Sequence, residues 1–239
     1  MKIWHYVTIG LLIYGVALLV QAPASLADKW LAQSTNGELR LANVHGTLWH
    51  GAARLGAMDF TWRMQPGYLL LGQLRVVLNR PQIAQPMHII ASANRVILDH
   101  VDIWLPLAPL VDRSDARMKS LGLAGQLHCQ TRHLTFTDGM IGTASVDWID
   151  AQSALSRVVP LGSYHFAVQG TVGQIGVQLT TLQGPLFLQG NGTWERSSGL
   201  RLSGYAQAKP RALQGLLAII GNPTGKGRYR FVLPSAVSR

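Results

Sequence analysis

Ser163-Tyr164-His165-Phe166-Ala167-Val168-Gln169 is the stretch that decides the fold. Tyr164, Phe166 and Val168 occupy one side of a period-two pattern, and Ser163, His165 and Gln169 the other. Successive side chains of a strand point to opposite faces, so this alternation sets one face on a core and leaves the other wetter. The pattern recurs on both sides of that segment. Phe60, Trp62 and Met64 alternate with Thr61 and Arg63, and Leu70, Leu74, Val76 and Leu78 share a face opposite Gln73, Arg75 and Asn79. Leu121, Leu123, Leu127 and Cys129 oppose Ala124, Gln126, His128 and Gln130. Leu200 and Leu202 alternate with Arg201 and Ser203, and Tyr229, Phe231 and Leu233 with Arg228 and Arg230. Turn residues punctuate these runs, so the expected body is mainly β, an antiparallel sheet.

Helix is expected in few places. Residues 209–220 carry Leu213, Leu216, Leu217 and Ile220 at helical spacing, with Pro210 near the start and Gly221 and Pro223 as stop signals. Residues 106–113 make a shorter candidate, and residues 30–33 a single turn. Each of the two body helices closes a group of strands, a pattern that suggests two similar halves.

The chain of 239 residues is 48% hydrophobic and only 13% charged, against about 25% charged in a typical soluble domain. Disorder driven by excess charge is therefore excluded. Lys and Arg number 21 against 11 Asp and Glu, a formal charge of +10. The single cysteine, Cys129, excludes an intrachain disulfide framework and any CxxC zinc site. The length suits one large domain or two small ones.

Residues 4–20 are nearly continuous apolar sequence, interrupted by His5 and Thr8. Seventeen residues in a helix reach roughly 25 Å, enough for the hydrocarbon of a bilayer. Trp4, Leu11, Leu12, Leu18 and Val20 are its candidate membrane-anchoring residues. Lys2 and the amino group precede the segment, and Asp28 beside Lys29 is neutral on the far side, which favours a cytoplasmic N-terminus. The competing reading is a cleaved signal peptide, since Ala22-Pro23-Ala24 and Ser25-Leu26-Ala27 both fit the small-x-small pattern. Either way residues 1–27 form a leader, and residues 28–239 form a β-rich domain exported across the membrane.

Chemistry finds little support. His128 and Cys129 are adjacent in a strand and point to opposite faces, so they cannot grip one ion together with His133. Cys129 on an apolar face is the ordinary small buried thiol and not an activated nucleophile. His45 and His50 bracket a turn at Gly46 that could bring them close, yet surface histidines are the simpler reading. Asp99 with Asp102, Asp112 with Asp115, and Asp147 with Asp150 are expected at strand ends, where Asp makes turns. Thr224-Gly225-Lys226-Gly227 lacks the rest of a phosphate loop, and Asn191-Gly192-Thr193 is first a hairpin signal. The cations are scattered, with one local stripe at Lys226, Arg228 and Arg230, so basic charge fits an anionic membrane surface better than nucleic acid. No cofactor, metal, nucleic acid or small-molecule substrate is expected.

The block Val44-His45-Gly46-Thr47-Leu48-Trp49-His50-Gly51-Ala52-Ala53 combines glycines with a large aromatic. Gly46 is expected to supply a turn or a close backbone approach, Leu48 and Trp49 to occupy opposite faces of a strand, and Gly51 to permit a bulge. Gly46, Thr47, Leu48, Trp49 and Gly51 are thus the candidate site, structural or for partner contact, with core packing the simpler role for Trp49 and the block fixing sheet curvature.

Together with the apolar leader, this block resembles the type II secretion system protein N family, part of the general secretion pathway. The resemblance continues in order through Trp62, Pro66 and Leu69-Leu70-Leu71-Gly72, then Leu105-Pro106, Gly122-Leu123 and Gly142 to Trp148. Leu161-Gly162-Ser163-Tyr164, Gly184-Pro185-Leu186, Leu200 to Ala206, and Leu216-Leu217 to Gly225 complete it. It implies a single-pass protein of the bacterial inner membrane, an N-terminal transmembrane helix followed by a curved antiparallel sheet in the periplasm with one or two short helices. It also implies a non-enzymatic role in exporting folded proteins across the outer membrane, through contacts with other envelope components of the system. The alternative reading is an envelope lipid-binding or lipid-shuttling protein using the concave face of its sheet.

Overall fold

The computed structural model of the chain describes residues 11, 14–15, 17–18, 20–34, 37, 40–56, 58–81, 83, 85–111, 119–195, 199–209, 211–225 and 227–233. The chain is mainly β and divides into two compact units, Met1–Ala93 and Asn94–Arg239.

The first unit contains β1 (Leu41–Gly46), β2 (His50–Leu55), β3 (Met58–Met64), β4 (Gln73–Asn79) and β5 (Met87–Ser92). Each pairs antiparallel with its neighbour in the chain. The predicted alternation around Trp62 is realised: Trp62, Ala53 and Ala24 are buried together, with Phe60, Met64, Val76 and Leu78 packed on them. The turn expected at 30–33 belongs to a longer helix, α1 (Ser25–Ser34). Asp28 in its first turn accepts a 2.8 Å hydrogen bond from the Leu41 amide, which ties the start of β1 to the helix. Leu70 does not share the strand face of Leu74, Val76 and Leu78. It lies in a 3₁₀ turn, Pro66–Leu71, because Pro66 starts a helical turn at its first position and Gly72 closes it.

The second unit contains β6 (Arg95–Pro106), β7 (Ala124–Phe136), β8 (Met140–Gln152), β9 (Gly162–Thr171), β10 (Gln174–Gln183), β11 (Leu186–Glu195), β12 (Gly199–Ala208), β13 (Asn222–Gly225) and β14 (Arg228–Leu233). They lie side by side in chain order, except that β14 pairs with β12 and carries β13 outside it. Register breaks at Ala124/Gln126, Thr131/Leu134, Trp148/Ala151 and Thr181/Gln183 bend the strands locally. Leu123 and Leu121 precede β7 and stand outside its alternation. Asn191-Gly192 lies inside β11 and not at a hairpin, with Asn191 opposite Ser203 and Gly192 opposite Leu202; the ladder on both sides overrides the local turn preference.

The two body helices are shorter than the spacing suggests. α2 (Ala108–Val111) is one turn, and α3 (Gln214–Ile220) follows a 3₁₀ turn at Arg211–Leu213. Leu213, Leu216 and Leu217 press on Tyr164, Leu179, Leu186, Leu202 and Phe231 to make the core of this unit. Among the described residues no helix is long and apolar enough to cross a membrane. Trp4 and Leu12 lie outside the described residues, while Leu11, Leu18 and Val20 are described and exposed.

Candidate functional site

The glycine-threonine-leucine-tryptophan block turns at Gly46 as expected, but Leu48 and Trp49 lie within the turn and not on opposite faces of a strand. Gly46 ends β1 and His50 begins β2, so Leu48 and Trp49 sit in the connection. The Thr47 amide donates to the His50 carbonyl at 2.7 Å, and the Thr47 hydroxyl accepts from the His50 amide at 3.1 Å. Gly46 has φ +97°, and a methyl there would fall 2.4 Å from the His50 carbonyl oxygen, so conformation and space both demand glycine. Trp62 of β3 reaches back beneath the turn and donates its indole Nε1–H to the Leu48 carbonyl at 2.9 Å. A methyl on Gly51 would come within 2.2 Å of Cζ2 of that ring. Trp49 is buried, and its carbonyl accepts from the Met64 amide at 2.7 Å.

The turn also holds the segment that follows the apolar leader. The Leu48 amide donates to the Ala22 carbonyl at 2.8 Å, the Ala24 amide donates to the Gly46 carbonyl at 3.2 Å, and Pro23 bridges to Thr47 as a one-residue strand pair. Ala24 is 2% exposed and packs with Trp62 and Ala53. The block is therefore a socket: β1, β2 and Trp62 build it, and residues 22–24 fill it.

The second unit carries a groove of about 370 Å³ beneath α3, lined by Leu123, Leu155, Phe166, Leu188, Leu216 and Ile219 among others. The polar atoms in its wall are turned to the backbone. Trp148 Nε1 donates to the Ala124 carbonyl at 3.0 Å, the Ser153 hydroxyl to the Leu121 carbonyl at 2.7 Å, and the Tyr164 hydroxyl to the Leu186 carbonyl at 3.1 Å. Burial pushes the Tyr164 phenol well above its ordinary value. What remains facing the groove is hydrocarbon, suited to apolar side chains or acyl chains and offering nothing to steer a polar ligand.

Strands β6 to β9 bear His–Asp pairs that sequence reasoning missed. His128 Nε2 lies 3.0 Å from Asp102, His165 Nδ1 2.5 Å from Asp147, and His133 Nδ1 2.5 Å from Asp99. Asp99, Asp102 and Asp147 thus stand inside β6 and β8, not at strand ends, because each has a histidine or amide partner one strand away. Asp112 and Asp115 lie outside the described residues. The readable signal is that His128, Asp147 and His165 all fall on polar positions of alternating runs. The Trp104 ring stacks on His128 at 4.2 Å between centroids. Cys129 points away from His128; burial, then the Asp147 carboxylate, push its thiol up and keep it protonated. His45 bonds back to the Asn43 carbonyl at 2.8 Å. Among the described residues no three His, Cys, Asp or Glu side chains gather to hold a metal ion.

The family model for the type II secretion system (T2SS), protein N, matches residues 37–232. The chain belongs to this family. No curated protein and no solved structure matches it. The matched span of this type II secretion protein N includes Gly46, Thr47, Leu48, Trp49 and Gly51 and the whole groove, whereas residues 22–24 precede it. Membership makes the chain a component of type II secretion and implies contacts with other components of that system. Of the expected basic stripe, Arg228 and Arg230 are exposed on β14, and Lys226 lies outside the described residues.

Proposed function

We propose that this protein N is a non-enzymatic component of the secretion apparatus, held in the inner membrane by its N-terminal segment, with both units in the periplasm, and that it works by protein contact. The family match over residues 37–232 carries the reading. The socket supports retention of the leader. Cleavage after Ala24 or Ala27 would remove residues 22–24, leaving the Leu48 amide and Gly46 carbonyl without these partners and Trp62 without Ala24. Cleavage would forfeit two hydrogen bonds, each worth about 0.5–1.5 kcal/mol net, and the burial of Ala24 against Trp62, so the contacts of the first unit favour keeping its leader. The groove of the second unit offers a partner's apolar side chains a place to insert.

The test is complementation of a deletion strain, with secreted cargo measured in the medium and a photocrosslinking residue at Ile219 on the groove rim. Loss of secretion in the deletion, and crosslinks to other secretion components, are the expected results. Normal secretion without the protein, or an intact mass corresponding to a chain cut after Ala24 or Ala27, would refute the respective parts. A second reading is favoured by the hydrocarbon lining of the groove: the unit carries an envelope lipid by its acyl chain. Phospholipid released from the purified chain and seen by mass spectrometry, and lost in a groove-filling Leu155→Trp variant, would move the argument to that reading.

A further inference from the structure

Tyr68-Leu69-Leu70-Leu71 forms a turn whose leucines meet little protein: Leu70 is 91% exposed, Leu71 71% and Leu69 44%. The turn is nonetheless fixed. The Tyr68 amide donates to the Gln65 carbonyl at 3.2 Å, the Gly72 amide to the Leu69 carbonyl at 3.0 Å, and the Arg75 guanidinium lies 3.8 Å over the Tyr68 ring. Three consecutive exposed leucines on a held turn are unusual for a surface facing water.

The topology of the first unit says where this turn stands. β2 leaves the socket at His50 and β3 returns to it, with Arg63 opposite His50 and the Met64 amide on the Trp49 carbonyl. The leucine turn follows directly after Met64 and Gln65, so it projects from the same end of the sheet as Gly46-Thr47-Leu48-Trp49. Residues 22–24 are bonded to that end, and a single residue, Gln21, separates them from Val20 at the end of the apolar leader. Leu11, Tyr14, Leu18 and Val20 of the leader are likewise exposed. Uncovered hydrocarbon thus occurs twice at one end of the unit, once in the leader and once in the turn.

We infer that Leu69, Leu70 and Leu71 dip into the acyl region of the bilayer that holds the leader, making a second, shallow attachment beside the transmembrane one. This inference rests on the anchored reading of residues 4–20. A turn held this way enters to the headgroup–acyl boundary, roughly 5–10 Å deep. Tyr68 and Arg75, stacked at its base, are the amphipathic pair that interfaces favour.

The experiment uses the full chain with Cys129→Ala, carrying one cysteine at Leu70, Leu11 or Val172 labelled with an environment-sensitive NBD fluorophore. Each protein is reconstituted into vesicles of phosphatidylcholine and phosphatidylglycerol, with or without doxyl-labelled lipid. Val172, 87% exposed in the β9–β10 turn, serves as the aqueous reference. The label at Leu70→Cys is expected to shift to the blue and to be quenched, more by a doxyl group high on the acyl chain than by one near its end. The label at Leu11→Cys is expected to be quenched too, and that at Val172→Cys to remain unquenched. Quenching at Leu11 with a water-like, unquenched label at Leu70 overturns the inference while leaving the anchor standing. No quenching at Leu11 overturns the anchored reading and the inference with it.

Discussion

Replacing Gly51 with Ala tests the socket most sharply, because the added carbon has only one place to go. It would arrive 2.2 Å from Trp62 Cζ2 and 2.5 Å from Cη2. Carbon atoms settle at about 3.5 Å or more, so ring or strand must shift by about 1.3 Å. The ring is 5% exposed and tethered by the 2.9 Å bond from Nε1 to the Leu48 carbonyl. A displacement of that size carries the bond out of range and leaves a buried N–H unpaired, which costs about 1–3 kcal/mol. The overpacking itself adds about 1–3 kcal/mol. The sum, about 2–6 kcal/mol, is a large part of the about 5–15 kcal/mol that holds a domain together. For a chain of 239 residues each kcal/mol moves the midpoint by about 2–4 °C, so the melting temperature should fall by at least about 4 °C. Calorimetry of the full chain in detergent reads that shift. A double-mutant cycle then separates the ring from everything else: with Trp62→Phe already in place, Gly51→Ala should cost under about 1 kcal/mol, since the six-membered portion of the indole is gone. An unchanged midpoint for Gly51→Ala, or the same cost in both backgrounds, refutes the steric argument.

Trp49→Ala should lower the melting temperature of the full chain, with a cost of about 3–5 kcal/mol for a buried aromatic; failed secretion at unchanged stability would instead make Trp49 a partner contact. Leu217→Ala, removing a side chain that is 1% exposed where α3 meets the sheet, should cost about 2–5 kcal/mol in denaturant titration, and a cost near zero would mean that α3 does not close the core. Tyr164 supplies a pH signature. Burial raises its phenol above the unfolded value, about 10, so its contribution is full below about pH 10 and is lost as pH rises through the folded value. Tyr164→Phe should therefore be less stable than wild type near neutrality, by about 1 kcal/mol for the hydrogen bond to Leu186, and should lose less stability on raising the pH. Parallel curves for the two proteins above about pH 10 would exclude this role for Tyr164.

The antiparallel strands are legible in the sequence because burial and period two coincide there: Trp62, Tyr164, Leu202 and Phe231 each fall on the apolar side of an alternating run, and each is buried. Errors arise where a local signal and a nonlocal one disagree. Leu70 keeps the phase of Leu74, Val76 and Leu78, yet Pro66 and Gly72 impose a turn that takes it off their strand. Asn191-Gly192 has the composition of a hairpin, but strands on either side hold it extended. Asp99, Asp102 and Asp147 read as turn residues because the partners that stabilise them, His133, His128 and His165, lie on neighbouring strands 18 to 34 positions away. The sequence shows which residues make up the motif but not how they are arranged. Nothing in Gly46-Thr47-Leu48-Trp49 announces that its backbone groups are spoken for by Ala22 and Ala24, since a backbone hydrogen bond leaves no mark on the identity of the residue that makes it.

The motif is therefore internally asymmetric. Gly46 is required by its φ, Thr47 by its hydroxyl, Gly51 by the ring above it and Trp62 by its N–H. Leu48 contributes its amide to Ala22 and its carbonyl to Trp62, two groups that nearly every residue possesses. If the block is a socket, the Leu48 side chain matters far less than its main chain. Leu48→Ala should cost about 1 kcal/mol, the share of a half-buried leucine. Leu48→Pro, which abolishes the donor to Ala22, should cost about 3 kcal/mol or more and loosen residues 22–24 from the unit. Limited proteolysis around residues 22–24 reads that loosening directly. A block that worked by presenting Leu48 to a partner would show the reverse: Leu48→Ala would abolish secretion, with the protease pattern of the wild type.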